Sequence, residues 1–214
     1  MHIVKIQPRS KNMAVEFDTG DVLEIANDVA VEFVLYAGKV FTDEEIEALR
    51  KAQGVYDALS AAYRFLGYRV RSEREVREKL RQKGIALEIT ELAIEKLRLG
   101  GSLDDAVFAC KFVHDALLKK PIGQSRLRHE LRRKGVSDTA IEQAIAKQYD
   151  SGAEFEAGMR LVERRIKKMD NTAPGKQAAS LRQYLFSRGF TGETIAAIVN
   201  EFLTKDHEQE NETS

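Results

Sequence analysis

The sequence predicts a mainly α-helical protein: three tandem three-helix repeats forming an elongated curved array, with a small N-terminal β-hairpin/helix extension. Three observations carry this. First, one pattern recurs three times, as V-R-E-K-L-R-Q-K-G-I at 76–85, L-R-H-E-L-R-R-K-G-V at 127–136 and L-R-Q-Y-L-F-S-R-G-F at 181–190. Superposed, the copies share an arginine (Arg77, Arg128, Arg182), a leucine (Leu80, Leu131, Leu185), a basic residue (Lys83, Lys134, Arg188) and a glycine (Gly84, Gly135, Gly189). Second, the residue four before each leucine (Val76, Leu127, Leu181) and the residue after each glycine (Ile85, Val136, Phe190) are apolar. That spacing puts the leucines on a buried helix face and makes each glycine a left-handed stop that folds the next helix back. Third, capping residues and glycines punctuate the chain at helical lengths from Val55 onward. The glycines lie 51 and 54 residues apart, a longer period than those of tetratricopeptide or ankyrin repeats.

Residues 1–54 stand outside the repeat. His2–Ile6, Met13–Phe17 and Val22–Ile25 read as short strands, the last two joined by D-T-G-D with Gly20 free to take positive φ. So few strands must pack on something else to be stable. Asn27-Asp28 offers an N-cap for a short helix ending at Gly38, with a strand as the competing reading. Thr42 and Glu45 form a capping box for a helix to about Ala52, which Gly54 is expected to end.

Repeat 1 (55–101) holds helices over Val55–Leu66, from the Ser72/Glu75 capping box to Lys83, and over Glu88–Leu99, closed by Gly100-Gly101. Repeat 2 (102–150) places them at Leu103–Lys119, Gln124–Lys134 and Asp138–Tyr149, the last capped by Ser137. Repeat 3 (151–204) places them at Glu154–Met169, Lys176–Arg188 and Glu193–Thr204, the last capped from Thr191. Pro121 and Pro174-Gly175 block helix continuation in the corresponding loops. Residues 205–214, D-H-E-Q-E-N-E-T-S preceded by Lys205, read as a disordered acidic tail.

The composition narrows the function. No apolar run reaches the ~20 residues of a membrane helix, and the N-terminus lacks a signal-peptide core, so no membrane association and a cytoplasmic location are expected. One cysteine, Cys110, excludes an internal disulfide; it sits on an apolar face and reads as a small buried hydrophobe. His2, His114, His129 and His207 are scattered without zinc spacing, and no phosphate-binding glycine loop is present. Asp104-Asp105 is the one acidic pair that could serve magnesium or acid–base chemistry, but helix capping explains it without a metal. No enzyme activity, cofactor or metal is expected.

What remains is a charged surface. The net charge is zero, yet basic against acidic residues number 6 to 10 over 1–54, 19 to 14 over 55–150 and 9 to 10 over 151–214. The excess concentrates in Arg77, Arg81 and Lys83 of repeat 1 and in Arg126, Arg128, Arg132, Arg133 and Lys134 of repeat 2. Arginines at helical spacing suit phosphates or carboxylates, so these eight residues are the candidate partner-binding set. Arg126, Arg132 and Arg133 do not recur in repeat 3, so folding does not account for them. Nothing among them reads base edges.

The segments G-S-L-D-D-A-V-F-A at 101–109 and K-x-x-G-x-x-R-L-R-x-E-L-R-R-K-G-V at 120–136 resemble the signature of the RecX family of bacterial recombinase regulators. S-E-R-E-V-R-E-K-L-R-Q-K-G at 72–84 is similar to that family's first unit. Ser102, where an aromatic is usual, and Pro121 depart from the pattern. The resemblance implies a non-enzymatic regulator of RecA; a monomer is expected. It would bind the RecA filament on single-stranded DNA and inhibit its ATPase, strand-exchange and coprotease activities, with effects on recombination, repair and the SOS response. The alternative is a helical-repeat protein that binds single- or double-stranded DNA directly through the basic strip.

Overall fold

A computed structural model describes residues 1–149, 152–167 and 174–212. The chain divides into two compact units, Met1–Leu103 and Asp104–Ser214.

In the first unit, β1 (Ile3–Pro8), β2 (Asn12–Phe17) and β3 (Val22–Ala26) form an antiparallel sheet in the order β1-β2-β3. The expected β2–β3 hairpin is present: Gly20 takes φ +84°, and the Phe17 N–H donates to the Asp21 carbonyl at 2.9 Å. The sheet buries Ile3, Val15, Phe17 and Ile25 against α1 (Asn27–Glu32) and the start of α2 (Asp43–Leu66), where Phe41, Ile46 and Leu49 complete the cluster. The short helix is therefore a helix, but it ends at Glu32 rather than Gly38, and Ala26 occupies its N-cap without a side-chain bond. Val34 then takes φ +47°, a conformation a β-branched residue rarely adopts.

The expected stop at Gly54 is corrected. α2 is one 24-residue helix that runs through Gly54, so the extension and repeat 1 share a helix and a unit. Gly54 lies where α4 (Leu87–Leu99) packs: a Cβ there would stand 3.5 Å from the Ile89 Cδ1 atom. Its glycine therefore marks a helix contact instead of a terminus. The Thr42/Glu45 capping box that starts α2 is formed in both directions, with Thr42 N–H to Glu45 Oε2 at 2.8 Å and Glu45 N–H to Thr42 Oγ1 at 3.2 Å.

Repeat 1 is completed by α3 (Glu73–Gln82) and α4, over a core of Ala58, Val76, Leu80, Ala93, Ile94, Leu97 and Leu103. In the second unit, α5 (Asp105–Lys119), α6 (Gln124–Arg133) and α7 (Asp138–Gln148) build repeat 2 around Phe108, Val113, Leu127, Leu131 and Ile141. Repeat 3 comprises α8 (Ala153–Ile166), α9 (Pro174–Ser187) and α10 (Gly192–Glu212), packed on Leu161, Leu181, Leu185, Phe190 and Ile198. Asp104 caps α5 by accepting from the Ala106 and Val107 N–H groups at 2.7 and 3.1 Å. That geometry assigns it the structural role. Its neighbour Asp105 is the first residue of the helix.

The recurring glycine does the same job each time. Gly84, Gly135 and Gly189 take φ +77°, +83° and +79°. The Ile85, Val136 and Phe190 N–H groups donate back to the Leu80, Leu131 and Leu185 carbonyls, each at 3.2 Å. The Gly84, Gly135 and Gly189 N–H groups donate to the Arg81, Arg132 and Phe186 carbonyls, each at 2.9 Å. This Schellman pair satisfies the carbonyls that a helix end leaves open. All three column leucines, and the residues four before them, are fully buried.

At the C-terminus, α10 extends to Glu212, so the backbone is helical over residues 205–212 where disorder is expected from composition. The stretch contains no proline or glycine and continues a helix already anchored by Val199 and Phe202, and its Glu and Gln are good helix formers. Of the expected N-T-A-P-G loop, residues 171–173 lie outside the described residues, and Pro174 opens α9.

Within the second unit, repeats 2 and 3 are joined backbone to backbone. The Gly123 N–H donates to the Arg188 carbonyl and the Ser125 N–H to the Gly189 carbonyl, both at 3.0 Å. α6 has no side-chain cap of its own. Instead the Gln124 N–H donates to Glu154 of α8 at 2.8 Å, and the other oxygen of that buried carboxylate accepts from the Thr191 and Thr194 hydroxyls at 2.9 and 2.8 Å. A buried carboxylate is tolerable only with such donors around it, and a helix N-terminus is a favourable place for it. Tyr149 closes the joint by donating its hydroxyl to the Ile122 carbonyl. Burial, followed by the nearby Glu154 charge, raises its phenol well above the ordinary value.

The two outer glycines should respond differently to alanine. At Gly84 a Cβ meets nothing within 4 Å, so Gly84→Ala should cost about 1–2 kcal/mol from the left-handed backbone alone. At Gly189 it would lie 2.3 Å from the Arg126 Cβ and 2.6 Å from the Arg126 nitrogen. Gly189→Ala should therefore cost about 3 kcal/mol or more. Urea unfolding of the two variants measures the difference.

Candidate partner-binding surface

The eight basic residues identified from sequence fall into two groups, one in each unit. In the first unit, α3 carries Arg77 and Arg81, and Lys83 is its C-cap. Arg77 points across to α4, where its Nε and Nη2 atoms donate to Glu91 at 2.8 and 3.1 Å, and it also meets Glu73 at 3.1 Å. Glu73 in turn accepts two bonds from Arg98, at 2.8 and 2.9 Å. The result is a chain of alternating charge that laces α3 to α4. The Arg98 hydrogen bonds hold the Glu73 carboxyl below its ordinary value, aided by the Arg77 charge and opposed by burial. Arg81 is highly exposed and folds onto Glu78 on its own helix at 2.8 Å. Lys83 is exposed and forms no ion pair among the described residues.

In the second unit α6 repeats the arrangement. Arg128 donates to Glu142 of α7 through Nε at 2.7 Å and Nη2 at 2.9 Å, with Gln124 Oε1 at 3.1 Å. Its side chain is only 26% exposed. Arg77–Glu91 and Arg128–Glu142 are each 14 residues apart in sequence, so one clamp is built twice. The matching residue in repeat 3 is Ala196, and Arg182 there is exposed without an ion pair among the described residues.

The arginine column therefore holds the middle helix against the third in repeats 1 and 2. This alters the part that Arg77 and Arg128 can play. A guanidinium with both edges on a carboxylate has few donors left, and reversing its charge would set two carboxylates face to face. The other α6 residues point elsewhere. Arg126 is exposed and pairs with Glu130 at 2.9 Å, within its own helix. Arg132 is exposed and reaches Asp138 at 2.7 Å, whose carboxylate is itself 72% exposed. Arg133 is exposed with no ion pair among the described residues, and Lys134 is half-buried at the helix end. Exposed pairs of this kind contribute little to stability and exchange readily for another anion. Arg126, Arg132 and Arg133 are thus the available cations of α6.

The carboxylates Glu91 and Glu142 were not legible as functional partners from local motifs. Their signal was their own recurrence, 14 residues after the arginine in two repeats and absent from the third. Among the described residues no group of histidine, cysteine and carboxylate side chains could hold a metal ion. No helix is long and apolar enough to cross a membrane among them.

Comparisons with known proteins agree with this architecture. Residues 58–97 match the family model described as RecX, first three-helix domain, and residues 104–145 match RecX, second three-helix domain. A Regulatory protein RecX from Geobacillus thermodenitrificans (strain NG80-2) is 30% identical over 190 residues, which cover 89% of this chain and 70% of that protein. The chain belongs to the RecX family. A further RecX relative, from Prosthecochloris aestuarii, is 36% identical over 149 residues, covering 69% of this chain and 94% of its own. A solved structure titled Crystal structure of regulatory protein RecX superposes with a TM-score of 0.79 at 24% identity, over 93% of this chain and 98% of that one, which speaks to the fold. The two matched RecX domains contain the two arginine–glutamate clamps, while α8–α10 repeat the same closure beyond them.

The clamp makes a measurable contribution. In a double-mutant cycle of Arg128→Gln and Glu142→Gln, the coupling should be about 1 kcal/mol or less, because the carboxylate is half exposed. The Glu73 network should appear in acid. A carboxylate whose folded value lies below the ordinary 4.5 stabilises fully above that value, and the contribution is lost as pH falls through the lowered folded value. Wild type should therefore lose stability over that interval, and Glu73→Gln should show a flatter acid profile in chemical denaturation.

Proposed function

We propose that this protein regulates RecA by binding the RecA filament on single-stranded DNA and inhibiting its ATPase, strand-exchange and coprotease activities. In the cell this would modulate recombination, DNA repair and the SOS response. The observation that carries the reading is membership of the RecX family, whose matched relatives are named regulatory proteins. The surface supports it. Arg126, Arg132 and Arg133 are exposed, and none of them is needed by the closure or clamp that the repeats share. Repeat 3 has Ser180, Phe186 and Ser187 at the matching positions. Guanidinium groups at adjacent turns of one helix suit acidic surface or phosphate on a filament. The role is one of binding, with no chemical step assigned to any residue.

The test is the DNA-dependent ATPase of RecA. The wild-type protein should inhibit it at stoichiometric amounts; an unchanged rate overturns the reading. The triple variant Arg126→Glu, Arg132→Glu, Arg133→Glu should retain its helical circular dichroism and lose inhibition about tenfold or more, since like-charge contacts at an interface cost several kcal/mol. Full inhibition by that variant would move the contact to another face. Arg128 is unsuitable for this purpose, because its reversal reads the α6–α7 clamp as well as the surface.

A further inference from the structure

The sheet of the first unit ends in an open strand edge beside a cleft. In the β2–β3 ladder the Phe17 N–H donates to the Asp21 carbonyl and the Asn27 N–H to the Lys11 carbonyl, at 2.9 and 3.3 Å. The register between them is unbroken, with Met13 opposite Ile25 and Val15 opposite Leu23. Bonded and outward residues alternate along such a ladder, so Val22, Glu24 and Ala26 turn their N–H and carbonyl groups away from β2. The Ala26 N–H has a partner there, Gln53 Oε1 of α2 at 2.8 Å. The outward groups of Val22 and Glu24 make no hydrogen bond among the described residues.

An unpaired edge is a template for another strand, and folded proteins usually blunt it. The far edge of this sheet is blunted at both ends. The Ile3 N–H donates to the Lys39 carbonyl at 2.9 Å, and β1 finishes at Pro8, which lacks an N–H. At β3 the charged side chain that would guard the edge is turned aside. Glu24 accepts from Arg9 and, at 2.7 Å, from Asn12, both on the β2 side. Val22 is 57% exposed. The edge borders a cleft of about 770 Å³, with Lys11, Glu24 and Ala26 on one wall. The other wall is a stripe of α2, namely Gln53, Tyr56, Asp57, Ser60, Tyr63 and Arg64, at the three- and four-residue spacing of one helix face. Both carboxylates of the cleft are engaged, Glu24 as above and Asp57 by the Gln53 amide at 3.0 Å. Its cations are not: Lys11 is exposed without an ion pair among the described residues, and Arg64 donates to the Ser60 carbonyl of its own helix at 3.2 Å.

We propose that an extended acidic segment of a partner protein adds to β3 as a fourth strand and lies in this cleft. Main-chain bonds to Val22 and Glu24 set its register, and alternate side chains face the cleft. Glutamate or aspartate there meets Lys11 and Arg64, while the Tyr56 and Tyr63 rings cover apolar atoms of the segment. A polynucleotide fits less well, because its backbone has no alternating donors and acceptors and its phosphates would face Glu24 and Asp57. A second copy of the chain brings the same unpaired cations and no spare carboxylate in the matching wall, so self-pairing sets like charge near like. Neither the site nor its assay involves a recombinase, so this proposal and the RecA reading fail separately.

The experiment is fluorescence anisotropy of a labelled short peptide of alternating valine and glutamate against the full-length protein. The same peptide N-methylated at every residue should bind about tenfold more weakly or worse, since it has no donor for the edge. Glu24→Pro removes an outward N–H without touching the β2–β3 ladder and should also weaken binding about tenfold. Lys11→Glu with Arg64→Glu should weaken it about tenfold or more, and gives an independent pair should the proline variant lose its fold by circular dichroism. Lys147→Glu with Arg160→Glu, charge-matched and in the second unit, should leave affinity unchanged. In the wild-type complex the Val22 and Glu24 amides should exchange with solvent more slowly than in the free protein. Absence of peptide binding by the wild type, undiminished affinity of the N-methylated peptide, equal losses in cleft and control variants, or unchanged exchange at Val22 and Glu24 overturns the proposal. So does displacement by unlabelled oligothymidylate as effective as that by unlabelled peptide, which would assign the cleft to a polynucleotide. A dimer in sedimentation that Glu24→Pro dissociates also overturns it, and would assign the edge to a second copy.

Discussion

Each repeat depends on one backbone event, the left-handed glycine that ends its middle helix. With φ near +80° the chain reverses in two residues, and the amide after the glycine returns to the leucine carbonyl five residues before it. That bond does two things together. It satisfies the open end of the helix, and it turns Ile85, Val136 or Phe190 back toward the leucine's own cluster. A residue with a side chain is strained at that φ, so the column is glycine for a stereochemical reason. In the second unit the same turn has a further duty. Gly189 is also the point at which α6 docks, and the space left by its missing side chain is occupied by Arg126.

With the closure in place, the two faces of the middle helix take separate work. One face carries the leucines. Beside it, Arg77 and Arg128 reach across to Glu91 and Glu142 and hold the third helix. The remainder faces solvent, and in α6 it carries Arg126, Arg132 and Arg133. A ten-residue helix thus has a core face, a clamp and a cationic surface within three turns. Repeat 3 keeps the closure and loses the clamp, because Ala196 replaces the glutamate. Its Arg165 and Arg188 stand instead over the Tyr184 ring.

Much of this was legible in the sequence, and the reasons are local. The leucine and glycine columns, the Thr42 and Ser72 capping boxes, the Asp104, Ser137 and Thr191 caps and the D-T-G-D hairpin all depend on residues within a turn or two of one another. The parts that were not legible depend on distant contacts. Gly54 looks like a stop, yet it sits inside α2 because α4 crosses there. Arg128 looks like a ligand residue, yet its partner lies 14 residues away on another helix. Glu154 gives no local sign that it caps α6 across the joint. Composition suggested disorder after Thr204, whereas the α10 backbone continues to Glu212 from an anchored helix.

The central claim is that α6 divides its arginines between structure and partner. Arginine-specific labelling with phenylglyoxal, read by mass spectrometry with and without the RecA–single-stranded DNA filament, tests it most directly. Arg126, Arg132 and Arg133 should label readily in the free protein and be protected on the filament. Arg128, held by Glu142 and Gln124, should label slowly in both states. Unchanged reactivity of the first three on the filament, or an Arg128 as reactive as they are in the free protein, would contradict the account.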